Sequence, residues 1–266
     1  MQIPDFPSCD HSSIRSLEAV SDYTLIEQLQ RSPAEGKYFT ALFCRYSAVV
    51  YSLIRHSAKS PVQAGYLFAL TWRHILNELG GVDLSKLKKD IALQAWLISL
   101  TASHINQAQL PDVESIHYAL QDAPPPLWCY TERALEALTP KHRLIILMAQ
   151  TFAWSNTRIA AYLQAEGDRT SAAEVQSELK AAYQALERAI PADIRHIYLD
   201  TPPLIAPSVA KAIEGDGAAD MNAEDMGSAD VRATNRSAAQ ISAELGQEMA
   251  DELGQEMAGM LEIEFT

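Results

Sequence analysis

The chain has 266 residues, 48% of them hydrophobic, and a formal net charge of -13. That is ample apolar material for a core and a length that suits one large or two small domains. The acidity speaks against a general nucleic-acid binder, whose domains usually carry a strong excess of bases. The charge is uneven, however. Residues 205–266 hold 13 acidic and 3 basic side chains, which leaves 21 acidic and 18 basic in residues 1–204. The body is close to neutral and the acidity belongs to a tail.

The N-terminal extension, 1–21, has no basic stretch followed by an apolar run, so no signal peptide is expected. No apolar run is long enough to span a bilayer. Cys9, Cys44 and Cys129 are odd in number, far apart and without a CxxC pair, which argues against a disulfide framework or a zinc site. The expectation is a soluble cytoplasmic protein, with no membrane partner.

From residue 22 to 106 the pattern is helical. Ser21 or Asp22 caps a helix that carries Leu25, Ile26 and Leu29. In "KYFTALFCRYSAVVYSLIRH" the residues Phe39, Leu42, Phe43, Tyr46, Val50 and Leu53 recur at three and four, one face of a helix. Pro61 opens "PVQAGYLFALTWRHILNEL", which stops at Gly80-Gly81. A loop with Lys86, Lys88 and Lys89 leads to "IALQAWLISLTASHI". No stretch alternates as a half-buried strand would, so the fold class is all-α.

Residues 107–128 contain Pro111 and Pro124-Pro125-Pro126, which reads as a Pro-rich linker between two small helical domains. The second domain, 129–192, holds "ALEALTPKHRLIILMAQTFAWSNTRIAAYL". Pro140 opens one helix there, and Ser155 caps a shorter one. An acidic tail, 193–266, then turns rich in Ala, Gly, Ser, Asp and Glu, a composition typical of disorder. It repeats "ELGQEMAD" as "ELGQEMAG", with Ile241, Leu245, Met249, Leu253 and Met257 at every fourth position. Such a stripe suits an amphipathic helix for a groove on a regulatory protein, or a segment that competes with DNA.

Enzyme chemistry finds no foothold. The histidines show no metal-ligand spacing, and there is no phosphate loop, nucleophile elbow or convincing carboxylate pair. No catalytic residue, metal or cofactor is expected.

Two helical domains, the second closing in a helix-turn-helix, resemble the bacterial RNA polymerase sigma factors of the two-domain, extracytoplasmic-function type. Four blocks carry the resemblance over roughly residues 22–190. "FTALFCRYSAVVYSL", with Arg45-Tyr46 and Val50-Tyr51, looks like the first core helix of sigma domain two. "QAGYLFALTWRHILNEL" is similar to the helix that docks on the polymerase clamp, and "LQAWLISLTASHI" to the next one. Leu138-Thr139-Pro140 and Ile159-Ala160 match the opening of sigma domain four.

The resemblance implies a transcription initiation protein that binds core RNA polymerase and directs it to promoter DNA. It places polymerase contacts at Tyr66, Leu67, Phe68, Trp72 and Arg73. It places DNA contacts at Lys86, Lys88, Lys89, Asn156, Thr157, Arg158, Gln176, Ser177 and Lys180. The departures are specific. The acidic signature of the clamp helix is replaced by Ser60-Pro61-Val62-Gln63-Ala64-Gly65, and the recognition helix reads Glu174-Val175-Gln176-Ser177-Glu178 where the family favours Thr-Val-Lys-Ser-Arg.

That third helix is the weak point for DNA reading. Ser171 and Glu174 form a capping box, and Val175, Leu179, Ala182 and Leu186 make the inward stripe. The outer face then offers Lys180 against Glu174 and Glu178. A carboxylate about 6 Å from a phosphate is repelled by roughly 1–3 kcal/mol. Three roles stay open for it: a plain bundle helix, a promoter reader, or a protein-binding surface on a sigma paralogue that has become an adaptor. The joint before the helix, "QAEGDRT", is seven residues where a turn of about three or four is usual.

Overall fold

A computed structural model of the chain describes residues 4–83 and 90–200, the side chains of 90–92 excepted. Among the described residues the architecture is all helical, with no strand. The acidic tail from 201 onward and the lysine loop lie outside them.

The N-terminal extension carries a 3-10 turn over Pro7–Asp10 and a single-turn helix α1 (Ser12–Arg15). It is packed rather than loose. Phe6 is buried, with its ring 4.8 Å from Phe43 and 6.1 Å from Phe68. Cys9 is disulfide-bonded to Cys44, their Cα atoms 5.6 Å apart, while Cys129 is free and buried. This overturns the expectation drawn from cysteine count and spacing. Residues 35 apart in sequence become neighbours once the extension folds against the bundle. The support that unpaired cysteines lent to a cytoplasmic expectation goes with it, since disulfides are rare in reducing compartments.

The bundle follows in order: α2 (Asp22–Arg31), α3 (Lys37–Ser57), α4 (Pro61–Gly81) and α5 (Asp90–Gln107). Ser21 caps α2 by accepting from the Thr24 backbone N–H at 3.2 Å, which leaves Asp22 inside the first turn. Asp22 is buried there and holds both the Arg45 guanidinium and the Tyr46 hydroxyl. Arg45 also donates to the carbonyls of Leu17 and Val20, which ties the extension to α3. At the start of α4, Ser60 accepts from Gln63 N–H at 3.1 Å and Pro61 sits where a missing N–H costs nothing.

The expected linker takes a different form. Pro125 and Pro126 open α6 (Pro125–Glu136), because the first positions of a helix need no donor. The residues ahead of it fold back on the bundle: Ile116, Tyr118 and Ala123 are buried, and the Tyr118 hydroxyl donates to the Ala123 carbonyl at 2.6 Å. Leu127 and Trp128 follow them into the same core.

Beyond α6 come α7 (Pro140–Gln150), α8 (Asn156–Ala165), α9 (Ala172–Ala189) and α10 (Ala192–Tyr198). The last of these occupies the beginning of the expected tail, with Ile194 and Ile197 buried. Two cores result. The large one gathers the bundle with Ile146, Ala182, Leu186, Ile190 and Ile194 from the second half of the chain. The small one holds Ile145, Met148, Ile159, Ala160, Leu163 and Val175. Helix α9 has its N-terminal part in the small core and its C-terminal part in the large one.

Candidate nucleic-acid interface

The three helices α7, α8 and α9 stand where the helix-turn-helix is expected, and each start is fixed locally. Thr139 accepts from His142 N–H at 3.3 Å and Ser155 from Arg158 N–H at 3.3 Å. The capping box of α9 is complete: Ser171 accepts from Glu174 N–H, and Glu174 accepts from Ser171 N–H at 2.7 Å. Helix α8 runs on through Gln164 and Ala165, so the joint is shorter than the sequence suggests and spans residues 166–171. Gly167, at φ 89°, makes the reversal that a side-chain-bearing residue would resist.

That joint is held rigidly. Lys141 bridges from α7 to Asp168 at 2.8 Å and to the Thr170 hydroxyl at 3.0 Å. Thr170 donates to Asp168 at 2.7 Å, and the Gln164 amide donates to the Thr170 carbonyl at 3.0 Å. The bonds from Lys141 and Thr170 hold the Asp168 carboxyl below its usual range, which keeps it ionised beside the lysine.

On α9, Gln176, Ser177 and Lys180 are exposed on the outer face, while Val175 is fully buried beneath them. The two glutamates that burden this face are both engaged within the protein. Glu174 is turned back to the start of its own helix, where the Ser171 bonds hold its carboxyl below the ordinary value. Glu178 meets His142 Nε2 at 3.0 Å. The negative charges remain, but Glu174 takes up an N-terminal donor that a phosphate would otherwise use.

Asn156, Thr157 and Arg158 form the first turn of α8, with Thr157 and Arg158 exposed. Sequence reasoning missed what surrounds them. The Arg158 guanidinium lies 4.2 Å over the Trp154 ring, and Trp154 in turn neighbours Phe152 and Tyr162. Phe152 is 51% exposed, beside Ala153 at φ 48°. The Phe-Ala-Trp triplet was visible in the sequence, but its apolar character hid a surface position.

The residues expected to meet polymerase are placed otherwise. Leu67, Phe68 and Trp72 are buried in the large core, with the Phe68 and Trp72 rings packed on Phe43. Tyr66 is half-buried beside Tyr118. Arg73 pairs with Glu132 and lies 5.2 Å over the Trp128 ring. The face that the resemblance assigns to a partner is covered by the chain's own residues 116–132. Lys86, Lys88 and Lys89 lie outside the described residues.

Among the described residues there is no cluster of side chains able to hold a metal, and no helix long and apolar enough to cross a membrane. Comparison with protein-family profiles, with curated proteins and with solved structures gives no match to this chain.

Proposed function

We propose that this chain is a sigma-factor-like transcription initiation protein that binds core RNA polymerase and touches promoter DNA through α9. One observation carries the reading. A three-helix unit with a capped third helix leaves Gln176, Ser177 and Lys180 open together, while Glu174 and Glu178 are tied to Ser171 and His142. Gln pairs well with adenine and Ser with either partner of a base pair, so this face has readers even without a basic stripe.

A second reading has its own observation. Helix α9 and α10 share the large core with the bundle, and residues 116–132 cover Tyr66 and Arg73. A sigma paralogue acting as a helical adaptor, without sequence-specific DNA reading, fits such a closed body. The experiment that separates the two adds core RNA polymerase and a library of promoter fragments to the full chain. Under the first reading, the complex is retained on DNA in a salt-dependent way and starts transcription, and Glu178→Arg increases retention. Polymerase binding with no DNA retention favours the adaptor. If the polymerase does not bind at all, the initiation reading fails.

A further inference from the structure

Where the turn between α2 and α3 meets α6 and α10 lies a cavity of about 380 Å³ whose chemistry belongs to neither role above. Its walls come from the turn between α2 and α3, from α6, from the end of α9 and from α10. Three arginines line it, Arg133, Arg188 and Arg195, together with Tyr130 and apolar residues such as Pro33 and Ile190. None of its lining side chains is acidic. Among the described residues none of the three arginines is in an ion pair. Arg133 donates only to the Asn77 side-chain carbonyl at 3.0 Å, and Arg188 to the Gln184 carbonyl at 2.9 Å. Arg195 Nε is buried with no hydrogen-bond partner, and so is the Tyr130 hydroxyl on a residue only 2% exposed.

Charge balance makes this arrangement informative. Three like charges around one cavity repel each other, and among the described residues no carboxylate forms an ion pair with any of them. Asp193, on the same short helix as Arg195, is taken up by the backbone N–H groups of Lys37 at 2.8 Å and Ile194 at 2.9 Å. Asp193 keeps its charge beside Tyr130; with the roughly half negative charge at the carbonyl end of α9 it offsets about half of the three arginines, which leaves the excess positive. Planar guanidinium forks suit phosphate oxygens, which accept two bonds from one arginine. The volume falls in the range of small-molecule pockets, and the apolar walls offer room for an organic part.

We propose that this cavity is a binding site for a small phosphate monoester, its phosphate held by Arg133, Arg188 and Arg195. The site stands independently of whether the chain initiates transcription. The test is calorimetric titration of the full chain at low ionic strength with inorganic phosphate, adenosine 5′-monophosphate and glucose 6-phosphate. Inorganic phosphate alone reports the phosphate contacts, and the two esters report the apolar walls. One-to-one binding of at least one ester, with a Kd of about 1 mM or tighter, is expected. Arg195→Gln weakens it about tenfold, as the loss of a charged hydrogen bond does. Because Arg195 is partly buried, Arg188→Gln at the exposed rim is the second variant, each checked by its thermal melt. Lys59→Gln, exposed just beyond the far end of α3, leaves binding unchanged. No heat with any of the three at 10-fold that concentration overturns the proposal, as does binding that survives Arg188→Gln and Arg195→Gln together.

Discussion

The two cores of this molecule are built from different materials. The large core interlocks Phe6, Phe39, Phe43, Phe68 and Trp72 through mostly edge-on ring contacts, with centroids 4.8–6.3 Å apart. The small core has five aliphatic residues and Met148 buried, with its aromatics, Trp154 and Tyr162, only partly buried against them. Aromatic residues bury more surface each and add directional contacts. The lesson is that an aromatic helix face in this chain is structural where it lies in α4 and available where it lies beside α8. Type of residue does not distinguish the two; the number of elements closing over it does.

The sharpest test of that contrast is Trp72→Ala. If Trp72 is core, the variant loses about 3–5 kcal/mol in urea unfolding; if it is a partner surface, stability barely changes and only polymerase binding suffers. Next in size is the link from Cys9 to Cys44, which closes a loop of 35 residues. Loop closure on that scale is worth about 3–4 kcal/mol, so unfolding in reductant shifts to correspondingly lower denaturant. Both tests fall on the large core.

Gly36→Ala addresses the seam where the turn between α2 and α3 meets α6 and α10. A Cβ there meets Ile194 Cγ1 at 2.2 Å and Tyr130 Cε2 at 2.8 Å. Overpacking of this kind costs about 1–3 kcal/mol, and Ile194→Ala in the same chain relieves part of it, giving a non-additive double-mutant cycle. Strictly additive effects would mean that the seam is not packed. The smallest effect falls on the small core's side. Ser171→Ala removes the cap of α9 and costs about 1 kcal/mol, seen as faster hydrogen exchange in the first turn of α9 than in α4.

How much of this was legible in the sequence follows from how local each cause is. Ser21, Ser60, Thr139, Ser155 and Ser171 cap helices by bonds that reach three residues ahead, and all five starts were readable. So was the buried stripe of Val175, Ala182 and Leu186. Pro124-Pro125-Pro126 was misread because a run that cannot continue a helix can still begin one. The disulfide, the covering of Tyr66 by Tyr118 and the meeting of Arg133 with Arg188 and Arg195 depend on residues far apart in the chain. No local pattern encodes them.

Helix α9 is unbroken for 18 residues, about 27 Å at 1.5 Å per residue. One end carries Gln176 and Ser177, and the other carries Arg188 at the cavity. Its first turns are packed against α7 and α8 and its last turns against α6. A single stretch of helix thus fixes the spacing between two separate surfaces, roughly 16 Å along its axis from Ser177 to Arg188.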